Sequence, residues 1–158
     1  MASTTFSGPV TSTNGFIGAL TGNVTGNVTG NIAGTGRTTH ATTAAINATA
    51  TATAAEVATG YITSTSASAT AITLPTGTLL GAALGAAKGT IFDLYIDNTG
   101  GASTVTIAVA VNGILSAAAA AGSGAGAGLL TVPSGVTGLA RFTIMFSSAT
   151  AYVFTRTA

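Results

Sequence analysis

The chain has no cysteine and no tryptophan, only three prolines, and very little charge: four Lys/Arg, three Asp/Glu and one His in 158 residues. Without cysteine there is no disulfide framework, no cysteine-ligated zinc and no thiol redox chemistry. Charged residues make up 4% of the chain, against about 25% in an average globular protein. The charges are Arg37, Lys88, Arg141 and Arg156 against Glu56, Asp93 and Asp97, a net charge of +1. So few scattered cations cannot neutralise many phosphates, so nucleic acid is not an expected partner. General acid–base or nucleophilic catalysis is equally short of groups. His40 has no acid nearby in sequence and reads as a structural or solvent-exposed histidine. Asp93 and Asp97 fall on the same outward strand face and read as solvated, with Asp97 serving a turn. No catalytic, cofactor-binding or metal-binding residue is assigned, no cofactor is expected, and the chain does not read as an enzyme. "GSGAGAG" lacks the Lys-Ser/Thr of a phosphate loop.

Export and membrane signals are also lacking. "MASTTFSGPV" has neither the basic n-region nor the apolar h-region of a signal peptide, so Sec-type export is not expected. The uncharged tract from Asn98 to Ala140 is broken by Asn112, by Thr and Ser, and by many glycines, which argues against a membrane span.

What is abundant is Ala, Thr, Gly and Ser. A surface so poor in charge favours self-association or cover by a large partner, since interface centres are depleted in charge. Composition shifts divide the chain into an extended Gly/Asn/Thr-rich arm (1–36), an Ala/Thr-rich connector (37–60) and a β domain (61–158). In the connector, "ATATATA" suits an extended strand or stalk better than a helix, because β-branched Thr loses χ1 freedom in helices.

The β domain shows period-two alternation. "TIFDLYID" sends Phe92, Leu94 and Ile96 one way and Asp93, Tyr95 and Asp97 the other. "STVTIAVAV" aligns Val105, Ile107, Val109 and Val111, and the turn chemistry of Asp97 to Ala102 between the two predicts a hairpin. "ARFTIMF" aligns Phe142, Ile144 and Phe146, and "AYVFTR" aligns Tyr152 and Phe154, a second hairpin. With "YITST", "AITLP" and "LLTVP" these make about seven strands, the count of an antiparallel β-sandwich, jelly-roll-like in type. "LLGAALGAAKG" has helical spacing and predicts a short helix stopped at Gly89. "SAAAAAGSGAGAG", Ser116 to Gly128, reads as a low-complexity loop or, alternatively, a silk-like stacking edge.

The arm contains "TGNVTGNVTGNIAGTG", Thr21 to Gly36, whose period of four fits extended backbone and not a 3.6-residue helix. Extended, it puts Val24, Val28 and Ile32 with glycines on one face and Asn and Thr on the other. One such strand leaves its backbone groups unpaired and needs partners, either copies of itself or another protein's sheet. From Thr21 to Gly34 it would reach roughly 46 Å. The competing reading is a flexible linker, because Gly and Asn are depleted in strands. Phe6, Phe16, Ile17 and Leu20 are the large apolar anchors ahead of it.

"FSGPVTSTNGFIG" followed by "GNVTGNVTGN" resembles the opening of bacteriophage virion proteins that decorate capsids or form head fibres. "KGTIFDLYIDNTGGASTVTI" and "VPSGVTGLARFTIMFSSATAYVF" are similar to the β domain of that group. The resemblance implies a trimeric capsid decoration, or cement, protein on the virion surface, a homotrimer whose partner is the major capsid protein. It implies docking or trimer contacts through Phe6, Phe16, Ile17, Leu20, Val24, Val28 and Ile32, with no nucleic acid or membrane partner. The alternative is a trimeric fibre tip that binds a host surface glycan or receptor. Exposed aromatics would suit that role, but the chain has only Tyr61, Tyr95 and Tyr152 among tyrosines. A fibre-borne depolymerase would need carboxylate pairs that the chain can hardly supply.

Overall fold

Strands with alternating apolar residues make up most of the regular structure. The computed structural model describes residue 40 and residues 42–115 and 130–157, all within the unit that begins at Thr38. The arm, its anchors Phe6, Phe16, Ile17, Leu20, Val24, Val28 and Ile32, and the Ser116 to Gly128 segment lie outside the described residues. In chain order the elements are β1 (Ala44–Ala45), β2 (Ala50–Thr51), α1 (Ala54–Ala58), β3 (Tyr61–Thr63), β4 (Thr70–Thr73), α2 (Gly77–Leu84), β5 (Ile91–Asp97), β6 (Val105–Ala108), β7 (Gly113–Leu115), β8 (Thr131–Val132), β9 (Leu139–Ser148) and β10 (Ala151–Arg156). The fold is mostly β. The stretch expected to be a connector supplies β1, β2 and α1.

A six-stranded sheet has the order β1-β3-β5-β9-β10-β7 and a four-stranded sheet the order β2-β4-β6-β8. Up to β6 the chain alternates between the two sheets, strand by strand. Each circuit therefore re-enters a sheet in the same direction, and β1, β3 and β5 pair in parallel, as do β2, β4 and β6. Antiparallel pairing is confined to β5 with β9, β9 with β10, and β6 with β8. The sheets are thus mixed, not antiparallel as expected, because parallel neighbours need a long crossover; here it runs through the other sheet, with α1 and α2 on the return.

The expected hairpin between β5 and β6 is absent, since the two strands belong to different sheets and Asp97 to Ala102 turns a corner. The expected β9 to β10 hairpin is present, pairing Phe146 with Tyr152 and Ile144 with Phe154. The expected helix forms as α2, but it ends at Gly85, in the left-handed region at φ 58°, before Gly89. α1 carries a capping box: Glu56 N–H donates to the Thr53 hydroxyl, and Thr53 N–H donates to the Glu56 carboxylate at 2.7 Å. That arrangement satisfies two orphan helix donors.

One buried cluster draws on both sheets, with Ile62, Leu94, Ile96, Phe142, Ile144 and Phe154 from the larger and Ile72, Val105, Ile107 and Val132 from the smaller. Phe142 and Phe154 stack with centroids 4.8 Å apart. Tyr152 is buried too; its hydroxyl donates to Pro75 O at 3.0 Å, and burial pushes its pKa up to about 12. β6 ends at Ala108, earlier than its alternation suggested, and Val111 is exposed. Asn112 (φ 63°) reverses the chain there and accepts from Tyr152 N–H.

Candidate functional site

The outer face of the six-stranded sheet gathers the side chains that alternation turns away from the core. On β5 these are Ile91, Asp93, Tyr95 and Asp97; on β9 they are Leu139, Arg141, Thr143 and Met145. Register sets Tyr61 beside Tyr95, Tyr95 beside Arg141, Asp93 beside Thr143 and Asp97 beside Leu139. The structure therefore brings together His40, Asp93 and the tyrosines of two strands, none of which were assigned a site from sequence.

A groove of about 460 Å3 lies here, lined by His40, Tyr61, Phe92, Asp93 and Tyr95, with Ile91 and Leu139 also on its wall. Tyr61 and Tyr95 are near parallel, 24° apart with centroids at 6.3 Å. The His40 ring packs against both, at 6.1 and 5.6 Å. His40 Nδ1 lies 2.8 Å from Thr59 O. A carbonyl only accepts, so Nδ1 carries the proton and in the neutral ring Nε2 is the acceptor. Gly60 makes this approach possible: its φ is +74°, and a Cβ there would collide with the His40 ring.

Tyr61 hydroxyl donates to Asp97 Oδ2 at 2.7 Å, and this bond, more than burial, raises the Tyr61 pKa. Asp97 Oδ1 accepts from Thr99 N–H at 2.9 Å and from the Thr99 hydroxyl at 2.6 Å. The Thr99 hydroxyl is the main reason the Asp97 carboxyl sits below its usual range; burial opposes it, and the Thr99 amide and Tyr61 hydroxyl add to it. The turn role expected for Asp97 is thus present, joined to a tie between β3 and β5. Asp93 Oδ1 accepts from Thr143 hydroxyl at 2.8 Å. Asp93 Oδ2, the Tyr95 hydroxyl and His40 Nε2 have no hydrogen-bond partner among the described residues.

Beside the groove an apolar strip crosses three strands, with Ile91 opposite Met145 and Met145 opposite Val153. Ile91 and Met145 are 65% and 46% exposed, and Val153 beside them is half-buried. Among the described residues no group of three or more His, Asp or Glu is placed to hold a metal ion, and no helix is long and apolar enough to cross a membrane.

The outward placement of Tyr95 was legible in the alternation of "TIFDLYID"; what the sequence does not show is that Tyr61 stands beside it. Their meeting depends on a parallel register between segments far apart in the chain, which alternation does not encode. Comparison with protein-family models, with curated proteins and with solved structures returns no match to this chain.

Proposed function

We propose that this chain is a structural virion protein that binds the outer surface of a phage capsid and stabilises the shell by bridging its subunits. In this reading the two sheets form a sandwich that assembles as a homotrimer, and the arm with Phe6, Phe16, Ile17, Leu20, Val24, Val28 and Ile32 docks on the major capsid protein. The observation that carries it is the apolar strip of exposed Ile91 and Met145 with half-buried Val153 on a chain with 4% charged residues. Such a strip asks for cover by another protein surface. The resemblance of the arm and the β segments to capsid-decorating proteins supplies the kind of partner. Bridging works by linkage: a protein that binds only the assembled shell stabilises it by mass action. Threefold copies would use one contact three times and raise avidity.

The test is co-sedimentation with undecorated capsids. The full chain is expected to pellet with the shells, whereas a chain lacking Met1 to Gly34 stays folded and remains in the supernatant. Full binding by the truncated chain would remove the docking role of the arm.

The alternative, a trimeric fibre tip that binds a host surface glycan, draws support from one specific observation, the groove of His40, Tyr61, Tyr95 and Asp93.

A further inference from the structure

We propose that the groove on the six-stranded sheet binds a neutral saccharide, seated on the Tyr61 and Tyr95 rings and hydrogen-bonded by Asp93, His40 and the Tyr95 hydroxyl. The inference rests on the fibre-tip reading for the origin of the sugar, a cell surface, and on the groove alone for the ligand's chemistry.

The groove is open, about 460 Å3, within the range of about 300–1,000 Å3 typical of small-ligand sites. Its unpartnered polar atoms narrow the ligand. Asp93 Oδ2 only accepts, in the neutral ring His40 Nε2 accepts because Nδ1 faces the Thr59 carbonyl, and the Tyr95 hydroxyl can do either. The ligand must therefore bring several O–H or N–H donors. An apolar ligand would desolvate these acceptors without pairing them. An anion would face the Asp93 carboxylate on the groove wall, and no Lys or Arg lines the groove to offset it.

Ring geometry separates the two remaining classes. A quaternary ammonium needs aromatic faces arranged around an empty centre. Here the three rings stand 5.6, 6.1 and 6.3 Å from one another, the spacing of rings in mutual contact, so nothing fits between them. Contiguous and lining the groove, they make its aromatic floor, with Tyr61 and Tyr95 24° apart and His40 tilted 39° and 59° from them. Tyr61 is fixed in that floor by its bond to Asp97, and His40 is fixed by Thr59 and by the space Gly60 leaves. An apolar aromatic floor with acceptors at its rim suits a molecule with C–H groups on one face and hydroxyls around its edge, which is a pyranose.

The test uses the full chain and saturation-transfer NMR with a panel of glucose, galactose, mannose, N-acetylglucosamine, N-acetylneuraminic acid and choline at millimolar concentration. At least one neutral sugar is expected to receive saturation at its ring C–H protons. Tyr95→Ala should weaken that binding by about tenfold or more. Tyr95→Phe, which keeps the floor and loses one hydroxyl, should weaken it less, and His40→Ala should fall between. Binding of none of the neutral sugars overturns the proposal, as does preference for choline or the acidic sugar, or binding unaffected by both alanine variants. Adhesion to host cells separates the two readings. Sugar binding without cell binding keeps the site and removes the fibre tip; cell binding undiminished by Tyr95→Ala keeps the fibre tip and removes the site.

Discussion

Asn98 is fully buried, and its side-chain amide serves three carbonyls: Ser103 O at 2.8 Å, Pro133 O at 3.0 Å and Val132 O at 3.2 Å. Its backbone N–H donates to Gly138 O at 2.6 Å. The residue thus pins the corner where the chain leaves β5 for the other sheet to the loop that follows β8. Three facing acceptors fix the amide orientation, since a rotated amide would set its oxygen against all of them. Asn98→Ala removes the donors to one buried and two part-buried carbonyls, for an expected loss of about 1–3 kcal/mol in urea unfolding. Asn98→Asp should cost more, because an anion replaces the donor; a midpoint equal to that of the parent chain in either variant would contradict this role. The turn chemistry of Asp97 to Ala102 was legible in the sequence, but the same Asx and Gly residues serve a hairpin and a corner alike. Only the burial of Asn98 distinguishes them. His40 was likewise judged by its sequence neighbours, whereas its partners Tyr61 and Tyr95 come from β3 and β5.

Strands long enough to show a period were legible, and "YITST", "AITLP" and "LLTVP" also met the shorter β3, β4 and β8. β5, β9 and β10 each run six residues or more, and their inward residues are those that alternation selected. β1 and β7, of two and three residues, are too short to show alternation, and parallel pairing between segments far apart in the chain leaves no local pattern, so the parallel circuits were not legible. The tie between β3 and β5 has a defined pH range. Asp97 is depressed in the folded chain, so its contribution is complete above its unfolded pKa and is lost as pH falls through the folded one. Tyr61 is raised, so its contribution is complete below about pH 10, the ordinary tyrosine value, and is lost as pH rises through the folded one. Carbon NMR of the Asp97 carboxyl should show a midpoint below the usual aspartate value that moves upward in Thr99→Ala. Tyr61→Phe should raise the midpoint too, by less than Thr99→Ala; a midpoint unmoved by Tyr61→Phe would refute the tie.

For the whole molecule, the expected solution mass by light scattering is three times 15.0 kDa. If the strip of Ile91, Met145 and Val153 is the contact between copies, Met145→Lys should shift the mass toward a single chain that still folds, because Met145 lies outside the core, and should remove the concentration dependence of the unfolding midpoint. A clean single-chain mass for the parent protein would remove the trimer and its symmetry advantage together.

The strand order also sets when the sheet can be sealed. During synthesis β1, β3 and β5 can lie down in turn, each on the rung before it, since every partner has already emerged. The far edge of β5 has no such partner until β9, which comes last but one among the strands. A nascent or C-terminally clipped chain therefore presents a bare seven-residue edge that another unfinished chain can pair with. The C-terminal hairpin is, in this sense, the stopper against premature aggregation.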